Sequence, residues 1–305
     1  MSLFIQKAKQ EGQNHGWMYW LGAIISFLAG QVLGMIPVLM ITIPKGLFTI
    51  EEISDPAKLG IDTNLFFFLM LLPFITSFIV LWIFIRVVHK KRFLISFTPF
   101  DKFDWSKLFF AFALWFVMSS VYDIIFYATD KSNYEFHGFN MPSFLFLFFI
   151  SMLILPIQTT FEELLFRSYL MQGIGMWKPY KIVPLMVTSV IFGLMHIANP
   201  EVNEYGNLVL VQYISIGFLL GLLTLQSDSM EFSLGLHAAN NIYGSLIVSF
   251  KGSALKTDTL FYAKKMMVDW RTVILYLSIQ VIFYLIIRYK YKLHSLQDLF
   301  QKFSV

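Results

Sequence analysis

The chain has 305 residues, of which 57% are hydrophobic and only 14% are charged. Soluble domains have about a quarter charged residues, so this chain has too few polar side chains to cover a water-facing globule. The net charge is +4, and lysines and arginines cluster at the ends of apolar runs, which indicates a membrane protein rather than a nucleic-acid-binding one. The chain has no cysteine, which excludes disulfides and thiolate chemistry.

Apolar runs long enough to cross a bilayer, which takes about 20 helical residues, follow one another along the chain. They predict an all-α polytopic integral membrane protein with about eight transmembrane helices. The predicted helices are Trp17–Ile43, Leu65–Ile85, Leu108–Tyr127, Ser143–Trp177, Ile182–Ala198, Asn207–Leu225, Phe232–Phe250 and Thr272–Ile287. No cleavable signal peptide is expected, and residues 1–305 are interpreted as one transmembrane domain.

The fourth predicted helix, Ser143–Trp177, would reach roughly 50 Å at 1.5 Å per residue, which is too long for one straight span. Pro156 lies within it. Because proline removes a backbone donor and clashes with the preceding turn, we expect this helix to break or kink there.

The charges of the loops predict the orientation in the membrane. Positive charge marks the cytoplasmic side, which places the basic second loop inside and the acidic first loop outside. Eight spans then place both termini in the cytoplasm, and the lysine-bearing loops fit a bacterial inner membrane. The loop around Lys251, Lys256 and Lys264 disagrees, since it would lie outside.

Ionisable groups are rare inside the predicted spans, where each costs about 2.5 to 3.5 kcal/mol on insertion scales, so each needs a structural or functional reason. They are Asp123, Glu162, Glu163, Arg167, His196 and His237. Asp123 stands alone in its helix. A structural partner explains it as well as a function does, and it is left out of the predicted site.

The run Phe161–Arg167 contains two adjacent glutamates and an arginine. Glu163 and Arg167 are four residues apart on one helix face, which predicts a structural ion pair. Glu162 is turned about 140° from Arg167, so it is left in an apolar environment and is the predicted general base.

His196 lies near the end of the next predicted helix, four residues after Phe192. Glu162 lies 17 residues before Pro179 and His196 lies 17 residues after it, in a hairpin expected to turn at residues 178–181. Both side chains should therefore lie about 25 Å from the turn, at the same depth.

His237 and Asn241 are four residues apart on the seventh predicted helix, so they share a face. They could donate hydrogen bonds to a developing oxyanion, or hydrogen-bond between helices. Asn240 should point elsewhere. Counted from the turn 226–230, His237 lies only about 10 Å deep, so a tilted or re-entrant helix is needed to bring it to Glu162.

These three motifs, in this order, resemble the CPBP family of CAAX-processing endopeptidases and bacteriocin-processing or abortive-infection proteins. The family shows Glu-Glu-x-x-x-Arg, Phe-x-x-x-His and His-x-x-x-Asn on separate helices, and the resemblance covers roughly Leu153–Phe250. It implies an eight-helix fold, with a protease core at about residues 143–250, that hydrolyses a peptide bond in the membrane. It further implies that Glu162 and His196 activate water, that His237 and Asn241 bind the oxyanion, and that Glu163, Arg167 and Phe192 support the site.

The cofactor and the function class have open alternatives. Glu162, His196 and His237 could offer three ligands to a divalent metal such as zinc, but a glutamate–histidine pair can also activate water without one. The expected partners are a membrane-associated peptide or protein substrate and the lipid bilayer, with no nucleic acid. The alternative functions are a non-catalytic immunity or scaffold protein and, less favoured, a proton-coupled transporter.

Overall fold

The protein is seen in a computed structural model that describes residues 3–177 and 180–301. Helices dominate it. They are α1 (Leu3–Gln10), α2 (Gly16–Lys45), α3 (Ile50–Ile53), α4 (Pro56–Leu59), α5 (Thr63–Val88), α6 (Trp105–Thr129), α7 (Met141–Trp177), α8 (Ile182–Met195), α9 (Pro200–Tyr205), α10 (Leu208–Ser227), α11 (Glu231–Leu246) and α12 (Trp270–Tyr291). Short 3-10 turns occupy Phe93–Ser96, Lys131–Asn133 and Leu296–Phe300.

Six of the described helices are long and apolar enough to cross a membrane: α2, α5, α6, α7, α10 and α12. Helix α8 is apolar but has only 14 residues, and α11 has 16 residues and carries more polar side chains. The prediction of a helical polytopic integral membrane protein is confirmed. The count of eight spans, the kind of membrane and the orientation stay predictions.

Two predicted helices extend too far at their C-terminal ends. Helix α8 ends at Met195 rather than Ala198, and α11 ends at Leu246 rather than Phe250. Residues that follow α11 form a strand, which sequence periodicity cannot separate from a helix over three residues. The expected hairpin turn before α8 includes Lys178 and Pro179, which lie outside the described residues.

The three strands form a small sheet beside the helices. They are β1 (Tyr134–Phe136), β2 (Val248–Phe250) and β3 (Phe261–Ala263). Strand β3 lies in the middle, antiparallel to β1 and parallel to β2. Strand β2 is therefore an edge of this sheet.

Helix α7 is not interrupted at Pro156. A π-helical segment, Ile150–Ile154, directly precedes the proline, and α-helix resumes at Leu155. Such a π-bulge accommodates a residue that has no N–H to donate. A second π-helical segment, Leu164–Leu170, follows Glu163, so the glutamate pair lies on the α-helical turns between two bulges.

The turn between α10 and α11 is buried inside the protein. The backbone N–H of Phe4 donates to Asp228 at 3.3 Å, and the imidazole of His294 lies 3.0 Å from the other oxygen of that carboxylate. The N–H of Met230 donates to the carbonyl of Phe97 at 2.9 Å. The terminal segments thus cover this turn, and the depth of His237 in the membrane stays a prediction.

Helices α2 and α5 approach closely at Gly34. A Cβ on Gly34 would overlap the backbone of Pro73. Small residues allow such close contacts between membrane helices. We expect Gly34→Ala to lower the free energy of unfolding by about 1 to 3 kcal/mol, because the two backbones must separate.

The control is Gly244→Ala in α11, where a Cβ would meet only a side-chain atom of Leu255 at 4.0 Å. Thermal unfolding of both variants in the same detergent checks the prediction. Equal melting temperatures would show that the packing of α2 on α5 does not depend on this glycine.

Candidate functional site

A cavity of about 490 Å³ opens between the helices that carry the three motifs. Glu162 of α7, His196 at the end of α8, and His237 and Asn241 of α11 all line it. The four predicted catalytic residues are thus brought to one cavity, from the consecutive helices α7 and α8 and from α11, which is distant in sequence.

Glu163 and Arg167 lie behind this cavity as a buried pair. The guanidinium Nη1 is 3.1 Å from Oε1 of Glu163, and the two side chains are 1% and 0% exposed. Arg167 also donates to the carbonyl of Gly217 at 3.3 Å, and its guanidinium lies 4.1 Å from the ring centroid of Phe192. The residues predicted to support the site therefore contact one another.

His237 bridges the two glutamates. Its Nδ1 lies 2.8 Å from Oε1 of Glu163, and its Nε2 lies 3.5 Å from Oε2 of Glu162. A carboxylate only accepts hydrogen bonds, so Nδ1 of His237 is the donor to Glu163. The imidazole is thereby oriented, with Nε2 facing the carboxyl of Glu162.

Glu162 is held by polar groups rather than by the purely apolar environment expected for it. The amide of Gln158 donates to Oε1 of Glu162 at 2.6 Å, and Asn241 donates to the amide oxygen of Gln158 at 3.1 Å. The sequence reading missed Gln158, although it lies four residues before Glu162 and so shares its face. Polar residues one turn away from an intramembrane acid are the signal that could have found it.

His196 lies in the same cavity, but the imidazole in contact with Glu162 is that of His237. Nδ1 of His196 is 2.7 Å from the carbonyl of Phe192. A carbonyl only accepts, so Nδ1 is the donor and Nε2 of the neutral ring carries the lone pair. The ring of Tyr213 stacks on His196 with centroids 4.2 Å apart. Tyr213 belongs to no motif and was also missed.

Asn240 was expected to point away from the site, and this was wrong. It lines the cavity, donates to the side-chain oxygen of Asn241 at 3.1 Å, and accepts from the indole of Trp115 at 3.2 Å. Adjacent residues on a helix can both reach a cavity when it is wide enough to cover about 100° of the helix surface.

The metal interpretation is not supported by the arrangement of the side chains. Within the described residues, no group of three or more histidine, aspartate or glutamate side chains is placed to hold a metal ion. Glu162, His196 and His237 share the cavity without forming such a group. No catalytic step is therefore derived through a metal.

Asp123 is not part of this cavity. It lines an adjoining cavity of about 420 Å³, where the hydroxyls of Tyr134 and Tyr243 are its hydrogen-bond partners. The two cavities share wall residues at the end of α11 and in β2. The predicted site does not include Asp123, which lines the adjoining cavity.

Glu201, on the short helix α9, is a further acid that lines the first cavity. Its Oε1 accepts from the N–H of Ala254 at 2.7 Å, and its Oε2 is buried without a hydrogen-bond partner among the described residues. Burial raises the pKa of this carboxyl above its usual value of about 4.5. No motif marks Glu201, because its burial depends on the loop that folds over it.

We expect Glu201→Gln to stabilise the protein increasingly as the pH rises. The folded state holds the proton of Glu201 more tightly than the unfolded chain, so the native protein loses stability as the pH rises above about 4.5 towards the raised pKa. The glutamine variant lacks this loss. The difference in melting temperature between the variant and the native protein should therefore widen from pH 4.5 towards pH 8, in favour of the variant.

Thermal unfolding from pH 4.5 to pH 8 checks this expectation, with Glu204→Gln as the control. Glu204 is partly exposed and pairs with Lys251 at the surface, so its variant should follow the native pH profile. A constant difference between Glu201→Gln and the native protein at all pH values would contradict the assignment.

The fold and the site together define an integral membrane protein with an acid–histidine cluster in a cavity between its helices. Residues 141–243, which contain all three motifs, match the Rce1-like family, described as type II CAAX prenyl endopeptidase Rce1-like. The resemblance drawn from the motifs is confirmed, and the family indicates a CAAX-type intramembrane protease.

The chain is also similar to an uncharacterized protein, YyaK, of Bacillus subtilis (strain 168). The two are 28% identical over 250 residues, which are 80% of this chain and 81% of that protein. The similarity thus extends beyond the motif-bearing helices to most of both chains. No solved structure is significantly similar to the chain.

Proposed function

We propose that the protein is an intramembrane endopeptidase that hydrolyses a peptide bond of a membrane-associated protein or peptide. The contact of His237 with both Glu162 and Glu163, inside a cavity between membrane helices, is the observation that supports it most. Ionisable groups are expensive in hydrocarbon, and here they converge on one enclosed space where a peptide and a water molecule could meet.

In the proposed reaction, Glu162 accepts a proton from a water molecule whose oxygen attacks the carbonyl carbon of the peptide bond. His196, whose Nε2 carries the lone pair, accepts a hydrogen bond from the same water and orients it. The carbon–oxygen bond forms, the carbon–nitrogen bond then breaks, and Glu162 returns the proton to the leaving amine. The products are a carboxylic acid and an amine, which ionise to a carboxylate and an ammonium group, so atoms and charges balance.

His237 and Asn241 stabilise the oxyanion that develops on the carbonyl oxygen. Glu163 accepts from Nδ1 of His237, and Nε2, which lies on the side of Glu162, donates to the oxyanion when it carries a proton. Asn241 donates one amide N–H to Gln158 and has a second one to offer. Arg167 stabilises the charge of Glu163 and so acts as a positioning residue through His237.

The test is cleavage of a panel of membrane-anchored peptides, prenylated and unprenylated, by the purified protein in H₂¹⁸O. Mass spectrometry should find two fragments, with one ¹⁸O in the new carboxyl terminus. The Glu162→Gln protein is the control. If both proteins are folded and equally inactive across the panel, the reading as a non-catalytic scaffold or immunity protein is favoured.

A chelator arm of the same assay addresses the alternative use of a metal. Cleavage that withstands the chelator supports water activation by Glu162 and His196 alone. Inhibition that added Zn²⁺ reverses would instead require a metal at the site.

A further inference from the structure

Strand β2 lies between the candidate active site and the second cavity. Val248, Ser249 and Phe250 line both cavities. The strand follows α11 directly, and the face of α11 that carries His237 and Asn241 leads to Gly244, at the i, i+4, i+7 spacing of one helix face. The candidate catalytic residues and the strand therefore lie along one continuous path.

The hydrogen bonds of β2 to β3 leave one side of the strand open. The N–H of Phe261 in β3 donates to the carbonyl of Ile247 at 2.9 Å, and the N–H of Lys251 donates to the carbonyl of Ala263 at 3.1 Å. Partners in a parallel ladder alternate, so residues 247, 249 and 251 face β3. Val248 and Phe250 consequently direct their backbone groups away from β3.

The carbonyl of Phe250 is used by a local turn, since it accepts from the N–H of Ser253 at 3.1 Å. The N–H and carbonyl of Val248 and the N–H of Phe250 are the groups that face the open edge. An added strand can pair with these groups. The N–H of one incoming residue would donate to the carbonyl of Val248, and the carbonyl of the same residue would accept from the N–H of Phe250.

Gly244 leaves space beside this edge. A Cβ at Gly244 would meet only Leu255 at 4.0 Å, and Gly244 lines both cavities. A glycine at such a place allows another backbone to approach closely. A larger residue there would project into the path between β2 and the face of α11 that carries Asn241.

We propose that β2 is the binding site for an extended segment of the peptide substrate, which adds to the sheet as a strand beside Val248 and Phe250. The proposal rests on the proposed peptidase function and names how the substrate is held. A peptide in a largely apolar cavity must satisfy its own N–H and C=O groups, and a helix would keep the bond to be cleaved within its internal hydrogen bonds. The edge of β2 supplies partners for an extended backbone and directs it to the face that carries His237.

The experiment is an N-methyl scan of the membrane-anchored peptide that the native protein cleaves fastest. Single N-methyl groups are placed at each of the residues flanking the scissile bond. Strand pairing predicts that KM rises at least about fivefold at one position, that of the residue whose N–H donates to the carbonyl of Val248, with little change at the two adjacent positions. The factor corresponds to one hydrogen bond of about 1 kcal/mol. A flat profile, or equal effects at adjacent positions, would overturn the proposal.

A pair of protein variants tests the same pairing by changing β2 instead of the peptide. Phe250→Pro removes the outward N–H, which β3 does not use, whereas Phe250→Ala removes the side chain and keeps the N–H. We expect KM to rise about fivefold more in the proline variant than in the alanine variant, with kcat similar in both. Equal KM values would overturn the proposal.

Different results would contradict the proposed peptidase function and the proposed strand pairing. Absence of any cleavage that depends on Glu162 contradicts the peptidase function itself. Cleavage that depends on Glu162 but is indifferent to the position of the N-methyl group contradicts strand pairing alone.

Discussion

Replacing Glu162 with glutamine is expected to lower kcat for peptide cleavage by about a hundredfold to ten-thousandfold, the range measured when a general base is lost. Glutamine has the size of glutamate, and its oxygen can still accept from Gln158, so the local hydrogen bonds survive. It has no carboxylate to take a proton from water. The loss should therefore appear in kcat, with melting temperature and KM close to those of the native protein.

Asp123→Asn is the matched control, because it also neutralises an acid inside a membrane helix but does so in the adjoining cavity. We expect its cleavage rate to stay within a fewfold of the native rate. A Glu162→Gln protein that still cleaves at the native rate would remove Glu162 from the mechanism. An equal loss in both variants would indicate a general effect of removing buried acids.

Replacing Arg167 with methionine is expected to lower the free energy of unfolding by about 3 to 5 kcal/mol. The guanidinium is 1% exposed, and it lies beside the fully buried carboxylate of Glu163. Methionine fills much of the space, but it leaves the carboxylate buried and without the arginine. The cost arises chiefly from that uncompensated charge rather than from lost packing.

The double variant Glu163→Gln with Arg167→Met separates the effect of the uncompensated charge from that of lost packing. It removes both charges while the amide oxygen of glutamine can still accept from Nδ1 of His237. We expect it to regain most of the lost stability, measured by denaturant unfolding in one detergent. If the double variant is as unstable as the single one, the contact of the guanidinium with Phe192 is the larger contribution.

The double variant should nonetheless cleave more slowly than the native protein. With an amide in place of the carboxylate at position 163, no negative charge stabilises His237 while it donates to the oxyanion, so the oxyanion is bound less strongly. Recovery of stability without recovery of kcat is the result expected of a positioning residue. A purely structural role would restore both.

Sequence alone was sufficient for the class of protein and for the motif residues that line one cavity. Apolar runs of about 20 residues have one stable solution in a bilayer, which is why six of the predicted helices reappear as long apolar helices. The pairing of Glu163 with Arg167 followed from their spacing, because residues four apart on a helix lie side by side in any fold. The convergence of the motifs followed from the cost of burying charge in hydrocarbon.

Tertiary structure decided the contacts between helices. The spacing argument matched Glu162 with His196 by depth, and both line the cavity, but the imidazole that contacts Glu162 is that of His237. Strand β2 was taken for the end of a helix, since three residues carry no periodicity and only pairing with β3 makes them a strand. Local spacing sets which residues share a helix face, but the partners of that face depend on how distant segments pack.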